Sequence, residues 1–172
     1  MNLRKLEKKD AEGMLEWMHD KEIQKCFRAS MVNKTREDVL NFIESASIIP
    51  EDGQDVHYAV VDDEDIYLGT ISLKNICFND GNAEYAISLR SSAQGKGIGR
   101  QATHMLLKKA FEEIGLQRIY LNVLSENKHA ISMYEKCGFI YEGEFRKHLF
   151  LRDKYYDLKW YAILKEDYES GC

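Results

Sequence analysis

The sequence predicts an α/β fold in which a mixed sheet, mostly antiparallel with a parallel central pair, is flanked by helices. Its 172 residues suffice for one domain with its own core, here residues 1–172. Strand-like segments before residue 90 are joined by short breaks rich in Asp, Glu, Gly and Asn, which favour antiparallel hairpins. Later, a long helical pattern separates two strands, and such a crossover makes them parallel.

The first half predicts a strand, two helices and three strands. The segment NLRKLEK alternates weakly, and Asp10 is placed to cap a helix whose apolar residues include Met14 and Trp17 at helical spacing. Thr35 begins a second helix, with Asp38 three residues later as in a capping box. The three strands are predicted in VHYAVVD, DIYLGTISLKNI and AEYAISLR.

The second half predicts helix, strand, helix and a final hairpin. The run RQATHMLLKKAFEEIG is a strong helix that ends at Gly115, and QRIYLNVL is a strand rich in β-branched and aromatic residues. Asn127 caps a short helix that ends at Gly138. The strands FIYEGEFRKHLF and KYYDLKWYAILK follow, joined by LRD.

Composition excludes several classes of protein. The net charge of -5 argues against nucleic-acid binding, and no apolar run approaches the ~20 residues of a membrane span. The first residues lack a signal-peptide core. The four cysteines form no CxxC pair, which favours free thiols over disulfides or a metal site. We therefore expect a cytoplasmic protein without metal, nucleic-acid or membrane partners.

The stretch QGKGIGR, residues 94–100, is the most informative. Backbone N–H groups at a helix start, with the helix dipole and the charges of Lys96 and Arg100, would cradle a pyrophosphate. A P-loop is excluded because Gly97 follows Lys96 where a hydroxyl residue is needed. Two other interpretations of this stretch stay open. It could be a dinucleotide-binding fingerprint, with Glu126 as the acidic residue past the next strand, or a tight turn with a purely structural role.

Two motifs together resemble the GNAT superfamily of acetyl-CoA-dependent N-acetyltransferases. The segment from Gln94 to Gly99 matches the family pattern [RQ]-x-x-G-x-[GA], and NKHAISMYEKCGFIYEG matches a second signature some thirty residues later. The second half looks most like the branch of spermidine and ribosomal-protein alanine N-acetyltransferases. Many members have a proline before the loop, where this chain has Ser91 and Ser92.

The resemblance implies where acetyl-CoA would bind. The fourth and fifth strands would splay apart, the pantetheine arm would pair with the fourth strand, and a backbone N–H near Ile87 would polarise the thioester carbonyl. The implied cofactor-binding residues are Ile87, Ser88, Leu89, Gln94, Gly95, Lys96, Gly97, Ile98, Gly99, Arg100, Asn122, Asn127, Ala130 and Lys136.

Two residues are candidates for the chemistry. The resemblance implies that Tyr134, two helical turns after Asn127, protonates or hydrogen-bonds the departing thiolate. Glu84, three residues before Ile87, is the candidate base for the amine, directly or through water; Ser88 and His57 are weaker ones. Cys77 and Cys137 lack an evident His partner, so direct attack of the amine is favoured over a covalent intermediate.

The acceptor is less well determined by the sequence. In this fold it would lie between the segment after the first helix and the final hairpin, whose candidate binding residues are His19, Arg28, Arg146 and Arg152. The basic excess of these segments favours a negatively charged acceptor, such as a nucleotide-linked amino sugar or an acidic peptide end, over spermidine. The sequence leaves open an amino sugar or nucleotide-linked amino sugar, a polyamine and a peptide N-terminus as the primary-amine acceptor. A non-catalytic acyl-CoA sensor is the alternative function, and the aromatic last strand favours a homodimer or higher homo-oligomer.

Overall fold

The computed structural model describes residues 1–27 and 29–171. Its strands form a seven-stranded sheet in the order β1-β2-β3-β4-β5-β7-β6. The β4–β5 pair is parallel and the other neighbours are antiparallel, as the sequence predicts. The strands are β1 Asn2–Lys5, β2 Val56–Val61, β3 Tyr67–Cys77, β4 Asn82–Leu89, β5 Arg118–Leu124, β6 Ile140–Leu151 and β7 Lys154–Leu164.

Helices cover both faces of the sheet. They are α1 Ala11–His19, α2 Lys21–Gln24, α3 Arg36–Ser45, α4 Ile98–Lys108, α5 Lys128–Lys136 and α6 Lys165–Glu169. The four-residue α2 and the five-residue α6 were not predicted, because so short a helix shows no apolar period. None of the helices in the described residues is both long and apolar enough to cross a membrane.

Two apolar cores lie on opposite faces of the sheet. Along β2, Tyr58 and Val60 pack into the core beneath α4 and α5, whereas Ala59 and Val61 pack against α1 and α3. This division follows from the alternation of side chains along a strand. The sheet is therefore buried on both faces along β2 and most of β3, and polar residues on the α1–α3 face stand out as exceptions.

Helix ends mostly follow the sequence prediction. Thr35 and Asp38 form the expected capping box, and the Asn127 side chain accepts from the backbone N–H of Ala130 at 3.1 Å. After Lys108, α4 continues as a π-helical turn that ends at Gly115, whose φ is 84°. The wider π-helical turn does not change where the helix ends, which is at Gly115 as predicted.

The expected cap at Asp10 is wrong. Its side chain makes no cap to α1; it is buried and accepts two hydrogen bonds from the Arg4 guanidinium, at 2.8 Å each, and one from the Glu7 backbone. A bidentate cation and a backbone N–H satisfy a buried carboxylate better than a single cap would. Asp10 therefore joins β1 to the start of α1.

Candidate active site

The parallel pair β4–β5 opens partway along its length. Pairing runs through Asn82/Arg118 and Ala83/Ile119 and ends at Glu84/Tyr120. Beyond that point β4 pairs only with β3 as far as Leu89, and β5 pairs only with β7 as far as Leu124. The predicted splay is therefore present. It leaves one side of each strand open to a cavity of about 1260 Å³.

The glycine loop forms one end of this cavity. Gly95 and Gly97 have φ of 73° and 77°, a region that favours glycine, and a Cβ on either would meet no atom within 4 Å. Gly97 is the residue before α4, so the loop presents backbone N–H groups to open space at a helix start. This geometry suits a phosphate-bearing ligand.

Most predicted cofactor residues line the cavity. These are Ile87, Ser88, Leu89, Gln94, Gly95, Gly97, Gly99, Arg100, Asn122, Asn127, Ala130 and Lys136. Lys96 and Ile98 are absent from the lining. Lys96 is exposed, and Ile98 packs partly against the core beneath α4. A role for these two side chains in cofactor binding therefore has no support from the cavity.

Tyr134 lies on α5 and lines the cavity. Its ring makes edge contacts with Tyr85, at 5.7 Å between centroids, and with Phe139, at 6.0 Å. Burial raises the pKa of the Tyr134 phenol well above its ordinary value. The hydroxyl thus stays protonated at neutral pH and is suited to donating a hydrogen bond.

Glu84 stands at the opening of the splayed strands and also lines the cavity. The Asn122 amide nitrogen donates to its Oε1 at 3.3 Å. Lys74 lies directly opposite Glu84 on β3, and Tyr120 lies opposite it on β5. Burial, and then the charge of Glu84, raise the pKa of the Tyr120 phenol.

Further polar side chains line the cavity between Glu84 and α3. His57 and Ser72 are paired across β2 and β3, and His57 Nδ1 lies 2.8 Å from Ser72 Oγ. Both line the cavity, and burial lowers the pKa of the His57 imidazole. Ser72 was missed by the sequence analysis, although a serine in the middle of an apolar strand is a signal. Asp38 was noticed only as a cap, yet it also lines the cavity.

The expected basic acceptor wall is not what the structure shows. Among the described residues, the charged groups that line the half of the cavity away from the glycine loop, here called the acceptor half, are four acids and two bases: Asp20, Glu22, Asp38, Glu84, Lys34 and Lys74. Two cations of the first segment are paired with acids instead: Lys25 with Glu22 at 2.7 Å, and Arg36 with Glu12 at 2.9 Å.

None of the three described substrate-binding candidates lines the cavity. His19 Nε2 lies 2.8 Å from the carbonyl oxygen of Lys34, and Arg152 donates to the backbone carbonyl of Gln24. Arg146 is exposed on β6. These side chains are used for structure or are solvated. Arg28 lies outside the described residues.

The described residues contain no cluster of three or more His, Cys, Asp and Glu side chains suited to a metal ion. The cavity brings together three groups of the chain: a carboxylate at the strand opening, a protonated phenol, and the backbone of a glycine loop at a helix start.

Comparison with known proteins identifies the family. The acetyltransferase (GNAT) domain family matches residues 1–140, most of the chain. The chain belongs to the GNAT acetyltransferase family. It is an acetyl-CoA-dependent N-acetyltransferase, and acetyl-CoA is its acetyl donor.

Relatives of this GNAT enzyme agree with the suspected branch. It is 32% identical to the spermidine N(1)-acetyltransferase of Vibrio cholerae over 117 residues, 68% of each chain. It is also 32% identical to the putative ribosomal N-acetyltransferase YdaF of Bacillus subtilis over 102 residues, 59% of this chain and 56% of that protein. The crystal structure of the Vibrio cholerae spermidine N-acetyltransferase in complex with CoA and spermine superposes with a TM-score of 0.86 at 26% identity, covering 98% of this chain and 97% of that one.

Proposed function

We propose that the protein transfers the acetyl group of acetyl-CoA to a primary amine of a polyamine. The observation that carries the proposal is the single cavity that joins the glycine loop to an acceptor half rich in carboxylates. Polyamines carry several ammonium groups, which carboxylates attract. The similarity to an enzyme solved with CoA and spermine supports the same acceptor class.

The donor would occupy the half of the cavity near α4 and α5. The backbone from Gln94 to Arg100 would hold its pyrophosphate, aided by the helix dipole of α4. The open side of β4 beyond Glu84 would pair with the pantetheine arm, and a backbone N–H near Ile87 would polarise the thioester carbonyl. The open side of β4 and the open glycine loop support these assignments.

The acyl transfer would proceed by direct attack in a ternary complex. The amine nitrogen bonds to the carbonyl carbon, the carbon–sulfur bond breaks, and its electron pair leaves with the sulfur. Glu84 takes the proton that nitrogen must lose. Cys137 is buried and its pKa is raised, chiefly by that burial, which disfavours a covalent route through its thiolate.

Tyr134 would stabilise the departing thiolate by donating a hydrogen bond. Because burial raises the pKa of the phenol, full proton transfer to the less basic thiolate is unfavourable. The thiolate would instead take its proton from water. This role needs the hydroxyl but not its ionisation.

A thiol-release assay over amine classes tests the proposal. We expect spermidine and spermine to be used with kcat/KM at least tenfold above amino sugars, nucleotide-linked amino sugars and peptides. Preference for one of the latter would refute a polyamine acceptor. Acetyl-CoA binding without thiol release for any amine would instead favour the non-catalytic sensor.

The oligomeric state is a separate proposal. The β6–β7 hairpin exposes large apolar and aromatic side chains on the edge of the sheet, among them Ile140, Tyr141, Phe145, Phe150 and Tyr155. An edge strand of this kind favours association with another copy. Light scattering that gives a monomer at micromolar concentration would contradict it.

A further inference from the structure

The Asn122 side chain has one satisfied end and one unsatisfied end. Its Nδ2 donates to Glu84 Oε1 at 3.3 Å, whereas its Oδ1 is buried and has no hydrogen-bond partner in the described part of the chain. A carboxylate only accepts hydrogen bonds, so the amide nitrogen must face Glu84 and the oxygen must face away. A buried acceptor without a donor is unfavourable, which points to a ligand that supplies one.

The fold places Asn122 beside Glu84 at the opening between β4 and β5. Asn122 is two residues past Tyr120 on β5, so its side chain is on the same face as that of Glu84. Its pairing partner is Trp160 of β7, and its side towards β4 is open. Asn122 also lines the cavity. A group that enters the gap to reach Glu84 therefore meets Asn122 as well.

We propose that Asn122 binds the attacking nitrogen and selects primary over secondary amines. The inference rests on the proposed function. A neutral primary amine has one lone pair and two N–H bonds. With the lone pair directed at the thioester carbon, one N–H faces Glu84 and the other donates to Asn122 Oδ1. As the carbon–nitrogen bond forms and the carbon–sulfur bond breaks, Glu84 accepts the first proton and the second hydrogen stays on the amide.

A secondary amine cannot make both contacts. It carries carbon where the primary amine carries its second N–H, so the Asn122 oxygen would be left without a donor. This unpaired acceptor is the source of the selectivity. Asn122 thus acts on the acceptor, whereas the sequence analysis had placed it with the cofactor residues.

The experiment compares 1,3-diaminopropane with N,N′-dimethyl-1,3-diaminopropane as acceptors. In Asn122→Ala we expect kcat/KM on the primary diamine to fall about tenfold or more, and that on the secondary diamine to change less than twofold. Affinity for CoA, measured by calorimetry, should stay unchanged. Asn122→Leu is close to asparagine in size and leaves no cavity, and it should show the same reduced preference for the primary over the secondary diamine. It replaces the alanine variant in the experiment if the alanine variant does not fold.

Trp160→Phe is the matched control. The Trp160 Nε1 is also buried and unpartnered in the described residues, at the same level of the sheet, but Trp160 does not line the cavity. Its removal should leave the ratio of primary to secondary turnover unchanged. The control separates a ligand contact from the loss of any unpaired polar atom.

Three results would overturn the role of Asn122 while leaving the proposed function intact. They are an unchanged preference in the Asn122 variants, a ratio that falls only because secondary turnover rises, and a drop in CoA affinity that accounts for the loss. The second would make Asn122 a steric gate, and the third would return it to the donor. If the wild-type protein acetylates neither diamine nor any polyamine, the proposed function fails, and the inference fails with it.

Discussion

Glu84 and Tyr120 form the last parallel pair of β4 and β5, and beyond them the two strands are not paired with each other. The position of this pair determines the site. Glu84 lies at the opening, Asn122 lies one step along β5 on the same face, and the open side of β4 leads towards the glycine loop before α4. If the opening lay one residue earlier or later along β4, the residue at that position would direct its side chain to the other face of the sheet.

Gly97→Val should abolish tight binding of acetyl-CoA. The residue has φ of 77°, which costs a β-branched side chain on the order of 1–3 kcal/mol, and relief of that strain would turn the loop N–H groups away. We expect calorimetry to show affinity at least tenfold weaker. Gly53→Val is the control, since Gly53 has φ of 73°, equally open space and no place in the cavity lining. Equal affinities of the two variants would contradict the cradle.

Asp38→Asn should weaken polyamine binding. Asp38 lines the acceptor half, and asparagine keeps an oxygen that can accept from Thr35 while the charge is removed. Because the charge of an exposed carboxylate is screened by water and salt, we expect a modest effect: KM for spermidine should rise about two- to fivefold, and less at high salt. Glu37→Gln, one residue earlier and absent from the cavity lining, should leave KM unchanged. The same KM in both variants would remove Asp38 from the acceptor site.

His57 should make the stability of the protein depend on pH. Burial lowers the pKa of the His57 imidazole in the folded protein. Two smaller effects follow: the charge of Asp55 raises this pKa, and the charge of Lys74 lowers it further. The unfolded chain therefore takes up this proton at a higher pH than the folded chain does. Between the pKa of the folded protein and that of the unfolded chain, a fall in pH favours unfolding. The full stability is present above the pKa of His57 in the unfolded chain.

Urea unfolding of His57→Gln measures this effect. The wild-type protein should lose more stability between pH 7.5 and pH 5.5 than the variant does, because glutamine does not titrate. His104, whose pKa is also lowered by burial, contributes to both proteins alike and cancels in the comparison. Parallel losses in the two proteins would mean that His57 is protonated without penalty.

Much of the fold could be predicted because its elements are locally encoded. Thr35 with Asp38, Asn127 and Gly115 end or begin helices through groups that lie within one turn. The Asp10 interaction could not be predicted in this way. Its partner Arg4 is in β1, and only the folded chain shows that the carboxylate is buried beside it.

The residues that line the cavity near the glycine loop were largely predictable, and the charged residues that line its other half were not. Gly95 and Gly97 report a backbone conformation that the sequence itself requires. The acceptor half depends on which charges point inward. The sequence shows Lys25 and Arg36 as a basic excess, but Glu22 and Glu12 pair with them. Pairing across elements is not visible in a count of charges.

The central claim is that Tyr134 promotes acetyl transfer from acetyl-CoA to a polyamine amine. The most direct test is the single-turnover rate of spermidine acetylation by Tyr134→Phe, since a slow product release cannot hide a chemical defect in that measurement. The ring and its contacts with Tyr85 and Phe139 remain, so acetyl-CoA affinity should be nearly unchanged. Loss of a hydrogen bond to the developing thiolate predicts a rate about 10²–10³-fold lower. A rate close to that of the wild-type protein would show that Tyr134 only packs, and that the thiolate leaves without its help.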